Sequence, residues 1–167
     1  KKIKTIMSVK FEASLKDGMH HFLKSLEGNY EGVTKVWFEP DKLADESRCT
    51  GSLRSILGGR FLLHEYQGTL EGKPIEGLAI IGCSLGDNKL QTAWIDSFHN
   101  GTAIMFSQNN TTAAPYSVLA HYAGEPAWRW RTEITKENDD KICITMFNIP
   151  PGGTESKAVE TIYTRVK

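Results

Sequence analysis

Apolar and polar residues alternate in short stretches over most of the chain, and turn-forming residues separate these stretches. The segment LKDGMHHFLKSLE (residues 15–27) departs from this pattern. Its Met19, Phe22, Leu23 and Leu26 fall at i, i+3, i+4 and i+7, the spacing of one apolar face on an α-helix. A glycine follows directly and is a typical helix stop. We therefore expect one short amphipathic helix over residues 15–27, which caps one end of a β-rich domain.

The rest of the chain predicts about ten β-strands bounded by turn residues. Breaks such as Gly58-Gly59 and Asn100-Gly101 supply the positive φ that tight turns need. Asn100-Gly101 in particular is typical of a type I′ hairpin turn. The expected strands cover residues 29–39, 46–56, 60–70, 75–84, 89–98, 102–110, 114–123, 129–137, 141–149 and 157–166.

Hairpin-linked strands in this number favour closure, because an open sheet of the same size would leave two unpaired edges. We predict an all-β fold, a single antiparallel up-and-down β-barrel of about ten strands with a short N-terminal helix. A two-sheet sandwich would need longer crossovers than the sequence offers. Residues 1–167 are most simply one domain. The interior of such a barrel holds side chains or one small ligand.

Charge and composition argue against several classes of function. Twenty Lys and Arg residues balance twenty Asp and Glu residues, which argues against a nucleic-acid partner and against a basic membrane anchor. No apolar stretch approaches the ~20 residues that span a bilayer. Cys49, Cys83 and Cys143 form no Cys-x-x-Cys pair, and we expect buried free thiols. The sequence does not determine the compartment, although the cytoplasm is favoured. It also does not determine whether the protein forms a homo-oligomer.

No metal site and no catalytic residue are assigned from motifs, since the chain has no His-x-x-x-His spacing. Trp94 and Asp96 nevertheless occupy one face of a predicted strand, because alternate residues share a face. Trp94 is expected inside the barrel, which takes Asp96 inside as well. A buried carboxylate needs a partner, and Arg129, Arg131 or a buried His would supply it. Asp96 is then a structural ion-pair member, a ligand anchor or an acid–base group.

The same alternation of faces along a strand also selects His64 and Tyr66, which share the less charged face of the strand over residues 60–70. His64 would be the nitrogen donor closest to a ligand. His99 lies beside the Asn100-Gly101 turn and is expected in solvent. The residues expected to neighbour a ligand are His64, Tyr66, Trp94, Asp96, Phe106, Arg131 and Met146.

The two ends of the predicted barrel carry a paired motif. The first strand opens with GNYEG (residues 28–32), and the last strand reads ETIYTR (residues 160–165). This resembles the calycin pattern, in which Gly-x-Trp on the first strand packs under an Arg of the last strand, with Tyr30 here in the place of Trp. The resemblance implies that Gly28, Tyr30 and Arg165 close the barrel bottom by a cation–π contact.

Further blocks extend the resemblance over most of the chain. They are KVWFEP at 35–40, ILGGRFL at 56–62, EGL at 76–78, TAWIDS at 92–97 and the ending ETIYTR. In this order and spacing they resemble a bacterial family of uncharacterised lipocalin-like proteins. That resemblance implies a lipocalin-like barrel and no established activity.

The Gly-x-aromatic-x-Gly form of the first strand is similar to the nitrobindin branch, whose members bind haem in a ten-stranded barrel. Haem there is held by a His near the C-terminus, and no His follows His121 in this chain. The cofactor is therefore unknown, and haem binding of that kind is doubtful.

We predict a barrel that binds a small apolar or amphipathic molecule in its interior, in a pocket of mixed aromatic and aliphatic character. Two alternatives stay open. One is a small barrel enzyme, an isomerase or hydrolase with Asp96 and His64 as acid and base. The other is a structural or interaction barrel that its own side chains fill.

Overall fold

The structure, a computed structural model, describes the backbone of residues 2–167 and the side chains of residues 7–167. Its elements are helices α1 (Lys2–Asp17) and α2 (Met19–Ser25) and strands β1 (Gly28–Glu39), β2 (Lys42–Ile56), β3 (Phe61–Leu70), β4 (Lys73–Ser84), β5 (Lys89–Asp96), β6 (Met105–Asn109), β7 (Tyr116–Tyr122), β8 (Trp128–Lys136), β9 (Lys141–Ile149) and β10 (Ser156–Arg165).

The strands close into one antiparallel barrel in which every strand pairs with its neighbours in sequence, and β1 pairs with β10. The closing pair is in register over seven residues, from Tyr30 opposite Arg165 to Val36 opposite Val159. The predicted fold class, an up-and-down barrel of about ten strands with a short N-terminal helix, is confirmed. Closure follows because each strand alternates an apolar inner face with a more polar outer face, and no edge is left unpaired.

The connections between strands alternate between two ends of the barrel. The β3–β4 connection is a two-residue turn in which Glu71 and Gly72 both have positive φ, as a type I′ hairpin requires. The predicted tight turn at Asn100-Gly101 is wrong. β5 ends at Asp96 and β6 begins at Met105, so residues 97–104 form a longer β5–β6 loop, which the Asp96 carboxylate folds back over the barrel.

Two helices precede the barrel where the sequence predicted one. The apolar pattern at 15–27 corresponds to α2, whose Met19 and Leu23 are buried together with the following Leu26. They pack into one end of the barrel, called the closed end below. Helix α1 was not predicted, since its sequence lacks a clear apolar face. Across residues 2–167 no helix is long and apolar enough to cross a membrane.

The opposite end of the barrel, called the mouth below, is formed by the β1–β2, β3–β4, β5–β6, β7–β8 and β9–β10 connections. Apolar side chains fill the interior towards the closed end, where Leu62, Leu90 and Ile142 have no exposed surface. The buried imidazole of His64 and the buried carboxylate of Asp96 lie further along their strands towards the mouth. The fold thus combines an apolar core with a polar inner surface, formed around His64 and Asp96, within one barrel.

Candidate functional site

Asp96 is the centre of the polar inner surface. Its side chain has no exposed surface, and its Oδ2 lies 2.5 Å from Nδ1 of His99. Its Oδ1 accepts the backbone N–H groups of Phe98 at 3.2 Å and Asn100 at 3.0 Å. Burial raises the pKa of Asp96, but these hydrogen bonds and the neighbouring imidazole outweigh burial, so its pKa lies below the usual value. Asp96 is therefore an ionised and tightly held carboxylate.

His99 is brought to the interior by the β5–β6 loop. The Asn100 side chain donates to the carbonyl of Trp94 at 3.1 Å, which folds the loop inward. The imidazole is then enclosed by aromatic rings, with centroid distances of 4.9 Å to Phe98, 5.6 Å to Trp94 and 5.9 Å to Trp130. Only 16% of its side chain is exposed. The expectation that His99 is in solvent is wrong, because the carboxylate of Asp96 organises the loop around it.

Tyr66 connects Asp96 to Trp94. The indole N–H of Trp94 donates to the Tyr66 hydroxyl at 2.9 Å, and that hydroxyl donates to Asp96 Oδ2 over a long 3.5 Å. Burial, together with the charge of Asp96, raises the pKa of Tyr66. The ring reaches across the sheet because Gly77 lies between Tyr66 and Asp96 in register. A Cβ at Gly77 would collide with the Tyr66 ring.

His64 forms a second, separate polar contact. Its Nε2 lies 3.0 Å from the hydroxyl of Tyr163, and its ring centroid is 5.1 Å from that of Tyr66. Burial lowers the pKa of His64 to about 4, so the imidazole is neutral near pH 7. The suggested acid–base pair of Asp96 and His64 is not formed, because each has a different partner.

A partly enclosed cavity of about 50 Å³ lies beside these groups, and a smaller one of about 20 Å³ adjoins its wall. Its polar side is lined by His64, Tyr66 and His99, and the Trp94 ring also borders it. Since a water molecule needs roughly 10–15 Å³ of such volume, the larger cavity holds about three to five groups of that size. Its other walls are mainly apolar and include Val36, Leu70, Ile75, Met146 and Val159.

Trp130, whose ring lies next to that of His99, has a buried indole N–H without a hydrogen-bond partner among the described residues. Its ring stacks on Trp94 with centroids 5.7 Å apart and an angle of 24° between the rings. Its indole N–H is buried and has no hydrogen-bond partner, the one such side-chain atom among residues 7–167. Buried polar groups in native proteins nearly always have a partner. Trp130 is not among the side chains that line the cavities beside it, so this N–H is an unpaired group in the wall behind His99.

Of the seven residues predicted to neighbour a ligand, four line the cavity, namely His64, Tyr66, Trp94 and Met146. Asp96 lies behind Tyr66 and His99, to which it is bonded. The alternation of inward and outward residues along each strand was sufficient to place these five side chains on the inner face.

Phe106 and Arg131 lie on the outer wall, which corrects the expectation that they face the interior. Phe106 is 70% exposed, and the next residue, Ser107, takes the inward position on β6. Arg131 binds Glu155 and Glu133 at 2.9 Å on the outer face. The physical reason in both cases is the two-residue period of a strand, which sends neighbours of an inward residue outward.

Arg129 and Arg131 alternate on β8 with the inward Trp130, and neither contacts Asp96. The Arg131 guanidinium instead lies 4.1 Å from the ring centroid of Phe147 on the outer wall. The partner of the buried carboxylate is therefore the histidine three residues further along the chain, not an arginine.

The residues that sequence reasoning missed are His99, Trp130 and Tyr163. The Asp-x-x-His spacing of Asp96 and His99 was a usable signal, because an Asp side chain often binds backbone N–H groups two residues on and turns the chain. Tyr163 lies over Gly51, where a Cβ would collide with its ring. The ring crosses β1 to reach Gly51 on β2, and a glycine inside a strand often marks such a close approach.

At the closed end, Arg165 lies over Tyr30 with its guanidinium carbon 5.1 Å from the ring centroid. The guanidinium also donates to the backbone carbonyls of Glu27 and Ser25, the latter at 3.3 Å. Gly28 is next to this contact, and a Cβ there would collide with the guanidinium. The three residues of the calycin-like motif therefore meet and tie the end of β10 to the chain that leaves α2.

Other chemical groups do not form a second site. Residues 82–86 (GCSLG) have the Gly-x-Ser-x-Gly spacing of hydrolase nucleophiles, but Ser84 ends a hairpin strand and donates to Asp87 at 2.7 Å. Hydrolases place this serine between a strand and a helix. Among the described residues, no cluster of three or more His, Cys, Asp or Glu side chains is arranged to hold a metal ion. The cysteines at 49, 83 and 143 are free thiols.

The family described as "Protein of unknown function (DUF1579)" matches residues 16–165 of the chain. This range begins near the end of α1 and includes α2 and all ten strands. No curated protein matches the chain.

Two solved structures share the barrel. The S-type phycobiliprotein lyase CPES from Guillardia theta is 10% identical, with a TM-score of 0.57 over 93% of this chain and 97% of that one. Rv2717c from M. tuberculosis is 11% identical, with a TM-score of 0.60 over 89% of this chain and 98% of that one. At these identities the likeness shows the fold alone.

Proposed function

The chain belongs to the DUF1579 family, whose description carries no activity, and we propose that its barrel binds a small amphipathic molecule in the cavity beside His99. One observation carries the proposal. The partly enclosed cavity meets apolar walls on one side and a buried polar network on the other, the usual composition of a ligand site. A barrel that its own side chains fill would not need buried polar groups facing an empty space.

The charges around the cavity favour an uncharged ligand. The negative charge of Asp96 is compensated by its hydrogen bonds to His99 and to two backbone N–H groups. His64 is neutral, since burial lowers its pKa to about 4. A charged ligand would lose its hydration without meeting an opposite free charge, whereas a hydroxyl or carbonyl group would meet donors and acceptors.

The size of the cavity limits the ligand to about four heavy atoms unless the mouth opens, by the water-sized volume used above. Pockets for drug-sized ligands are roughly 300–1,000 Å³, and haem needs at least as much space. Haem therefore does not fit the cavity of about 50 Å³. The haem chemistry of the nitrobindin branch is not part of this proposal.

Acetone is a suitable probe, because it has four heavy atoms, two apolar methyl groups and one hydrogen-bond acceptor. We expect NMR signals of the Trp94 indole N–H and the Met146 methyl group to shift saturably as acetone is added. The variant Val159→Phe fills the cavity and should abolish these shifts. Val166→Phe adds the same bulk at an exposed position and should leave them unchanged.

Native and denaturing mass spectra of the purified protein provide an independent measurement. A retained small molecule would appear as extra mass in the native spectrum only, and Val159→Phe should lose it. Linear, non-saturating shifts in the wild-type protein, equal to those of Val159→Phe, would refute an interior binding site for molecules of this size.

A further inference from the structure

We infer that His99, oriented by Asp96, is a general base that removes a proton from the carbon next to the carbonyl of a small ligand. The inference rests on the proposed function, because the carbonyl compound has to occupy the cavity beside His99. It assigns an activity, enolisation, and a substrate class, small uncharged carbonyl compounds with a hydrogen on the adjacent carbon.

The hydrogen bond between His99 and Asp96 defines the state of the imidazole. An ionised carboxylate only accepts hydrogen bonds, so Nδ1 of His99 carries the proton that it shares with Asp96 Oδ2 at 2.5 Å. In the neutral ring, Nε2 then has a free lone pair, and no described residue donates to it. This is the arrangement by which a carboxylate prepares a histidine to act as a base.

Asp96 is a positioning residue in this scheme. Besides His99 it binds the backbone N–H groups of Phe98 and Asn100 and the hydroxyl of Tyr66. These bonds fix the carboxylate and the loop that carries the imidazole at the same time. The protonated imidazole that forms during proton abstraction would be stabilised by the adjacent negative charge.

Trp130 does not itself reach the ligand, because it is not among the side chains that line the cavity or its smaller neighbour. Its buried N–H has no partner within the described chain, and its ring centroid is 5.9 Å from that of His99. Removal of the proton moves negative charge onto the carbonyl oxygen, and a donor already in place at that oxygen lowers the barrier. The Tyr66 side chain does line the cavity, and its hydroxyl donates to Asp96 only over a long 3.5 Å, so it is the donor available to a carbonyl oxygen beside His99.

His64 does not compete for this role. Its Nε2 is engaged by the Tyr163 hydroxyl at 3.0 Å. Its pKa of about 4 makes it a weaker base than an ordinary imidazole. Of the two histidines that line the cavity, His99 alone combines a carboxylate partner with a free ring nitrogen.

The step is balanced without a further reactant. The C–H bond breaks, its proton goes to Nε2 of His99, and its electron pair forms the carbon–carbon double bond of the enolate. The carbonyl π-electrons move to the oxygen. Return of a proton to carbon completes an exchange, and return to the carbon on the other side of a suitable carbonyl compound completes an isomerisation.

Acetone in D₂O tests the step with the complete chain, since each abstraction exchanges one hydrogen for deuterium. We expect the wild-type protein to exchange acetone hydrogens roughly tenfold or more faster than His99→Gln, because general bases typically contribute 10²–10⁴-fold. His121→Gln removes an exposed histidine on the outer wall and should exchange at the wild-type rate. Mass spectrometry of the recovered acetone measures both rates.

Two further variants keep the test decisive if His99→Gln does not fold. Asp96→Asn retains the imidazole but removes its carboxylate, and Tyr66→Phe removes the hydroxyl donor that lines the cavity. Each should lower the exchange rate several-fold, while the acetone-dependent NMR shifts persist.

The outcomes separate the two proposals. Saturable acetone shifts with exchange no faster than in His99→Gln would overturn the base and leave the binding site intact. The absence of both saturable shifts and exchange would overturn both. Fast exchange that survives in His99→Gln and in the cavity-filling Val159→Phe would assign the activity to another part of the protein and overturn the inference.

Discussion

The closed end and the mouth of the barrel differ in their packing and in how their buried polar groups are hydrogen-bonded. At the closed end, Leu26, Leu62, Leu90 and Ile142 have no exposed surface. The Tyr116 hydroxyl there is fully satisfied, since it bonds Thr92, Gln91 and Gly82. Towards the mouth, ionisable side chains face a cavity, and one indole N–H has no partner. The same strands therefore form a fully packed core at the closed end and a polar surface beside a cavity towards the mouth.

The difference indicates where stability and function are located. Burying apolar surface stabilises the fold, whereas burying His64 and Asp96 costs free energy that hydrogen bonds only partly recover. A carboxylate and two histidines are thus an inefficient way to fill a barrel. Their presence beside a cavity is understandable if they bind or transform a ligand.

Leu62→Ala should have the largest effect, because it removes a fully buried side chain from the closed end. We expect a loss of about 4 kcal/mol in the free energy of unfolding, the upper part of the usual range for Leu→Ala. Leu70→Ala, which borders the existing cavity, should cost only about 2 kcal/mol, because its side chain already lacks neighbours on one side. Urea denaturation of both variants measures the two values.

Equal losses in the free energy of unfolding for the two variants would contradict the distinction between a tightly packed closed end and a loosely packed mouth. Val166→Ala at an exposed position is the control and should stay within about 0.5 kcal/mol of wild type.

His64 should make stability depend on pH in a defined window. Its pKa is about 4 in the folded protein and about 6.5 in the unfolded chain. Below pH 6.5 the unfolded state binds more protons, so stability falls as the pH decreases from 6.5 to 4 and is retained above 6.5. Between pH 7 and pH 4 the wild-type protein should lose about 3 kcal/mol more than His64→Gln.

Chemical denaturation at a series of pH values measures this difference. His20, whose pKa is also lowered by burial, contributes equally to both proteins and cancels in the comparison. His121→Gln should keep the wild-type pH dependence. Parallel curves for wild type and His64→Gln would mean that burial does not lower the pKa of His64.

The fold was predictable because its determinants are local. Alternating residues and turn residues mark each strand, and antiparallel hairpins need no long-range information to pair. Helix α1 was missed because its sequence has no clear apolar face, and its described contacts are tertiary, such as the packing of Phe11 against His20 at 5.0 Å.

The candidate site was only half predictable. The alternation of inward and outward residues placed His64, Tyr66 and Trp94 inside, since each lies within a regular strand. It failed for Phe106, because the long β5–β6 loop shifts the register of the following strand. It also failed to find His99, whose position depends on the hydrogen bonds that Asp96 makes to the loop.

Arg165→Met should destabilise the closed end by about 2 kcal/mol. The guanidinium loses its hydrogen bonds to the carbonyls of Glu27 and Ser25 and its position over Tyr30, and hydrogen bonds to charged groups contribute about 1.5–3 kcal/mol. Hydrogen exchange should accelerate in α2 more than in the mouth strands. Arg129→Met, on the outer wall, is the matched control and should change neither quantity.

Phe106→Ser should have the smallest effect and tests which face of β6 is inside. With 70% of its surface exposed, Phe106 contributes little buried area, and we expect a change within about 0.5 kcal/mol. The adjacent Ser107→Phe forces a ring into the filled interior and should cost about 2 kcal/mol. The same urea denaturation measures both variants. If the two costs were reversed, β6 would be shifted by one residue, and Phe106 would belong to the inner surface that the sequence alone predicted.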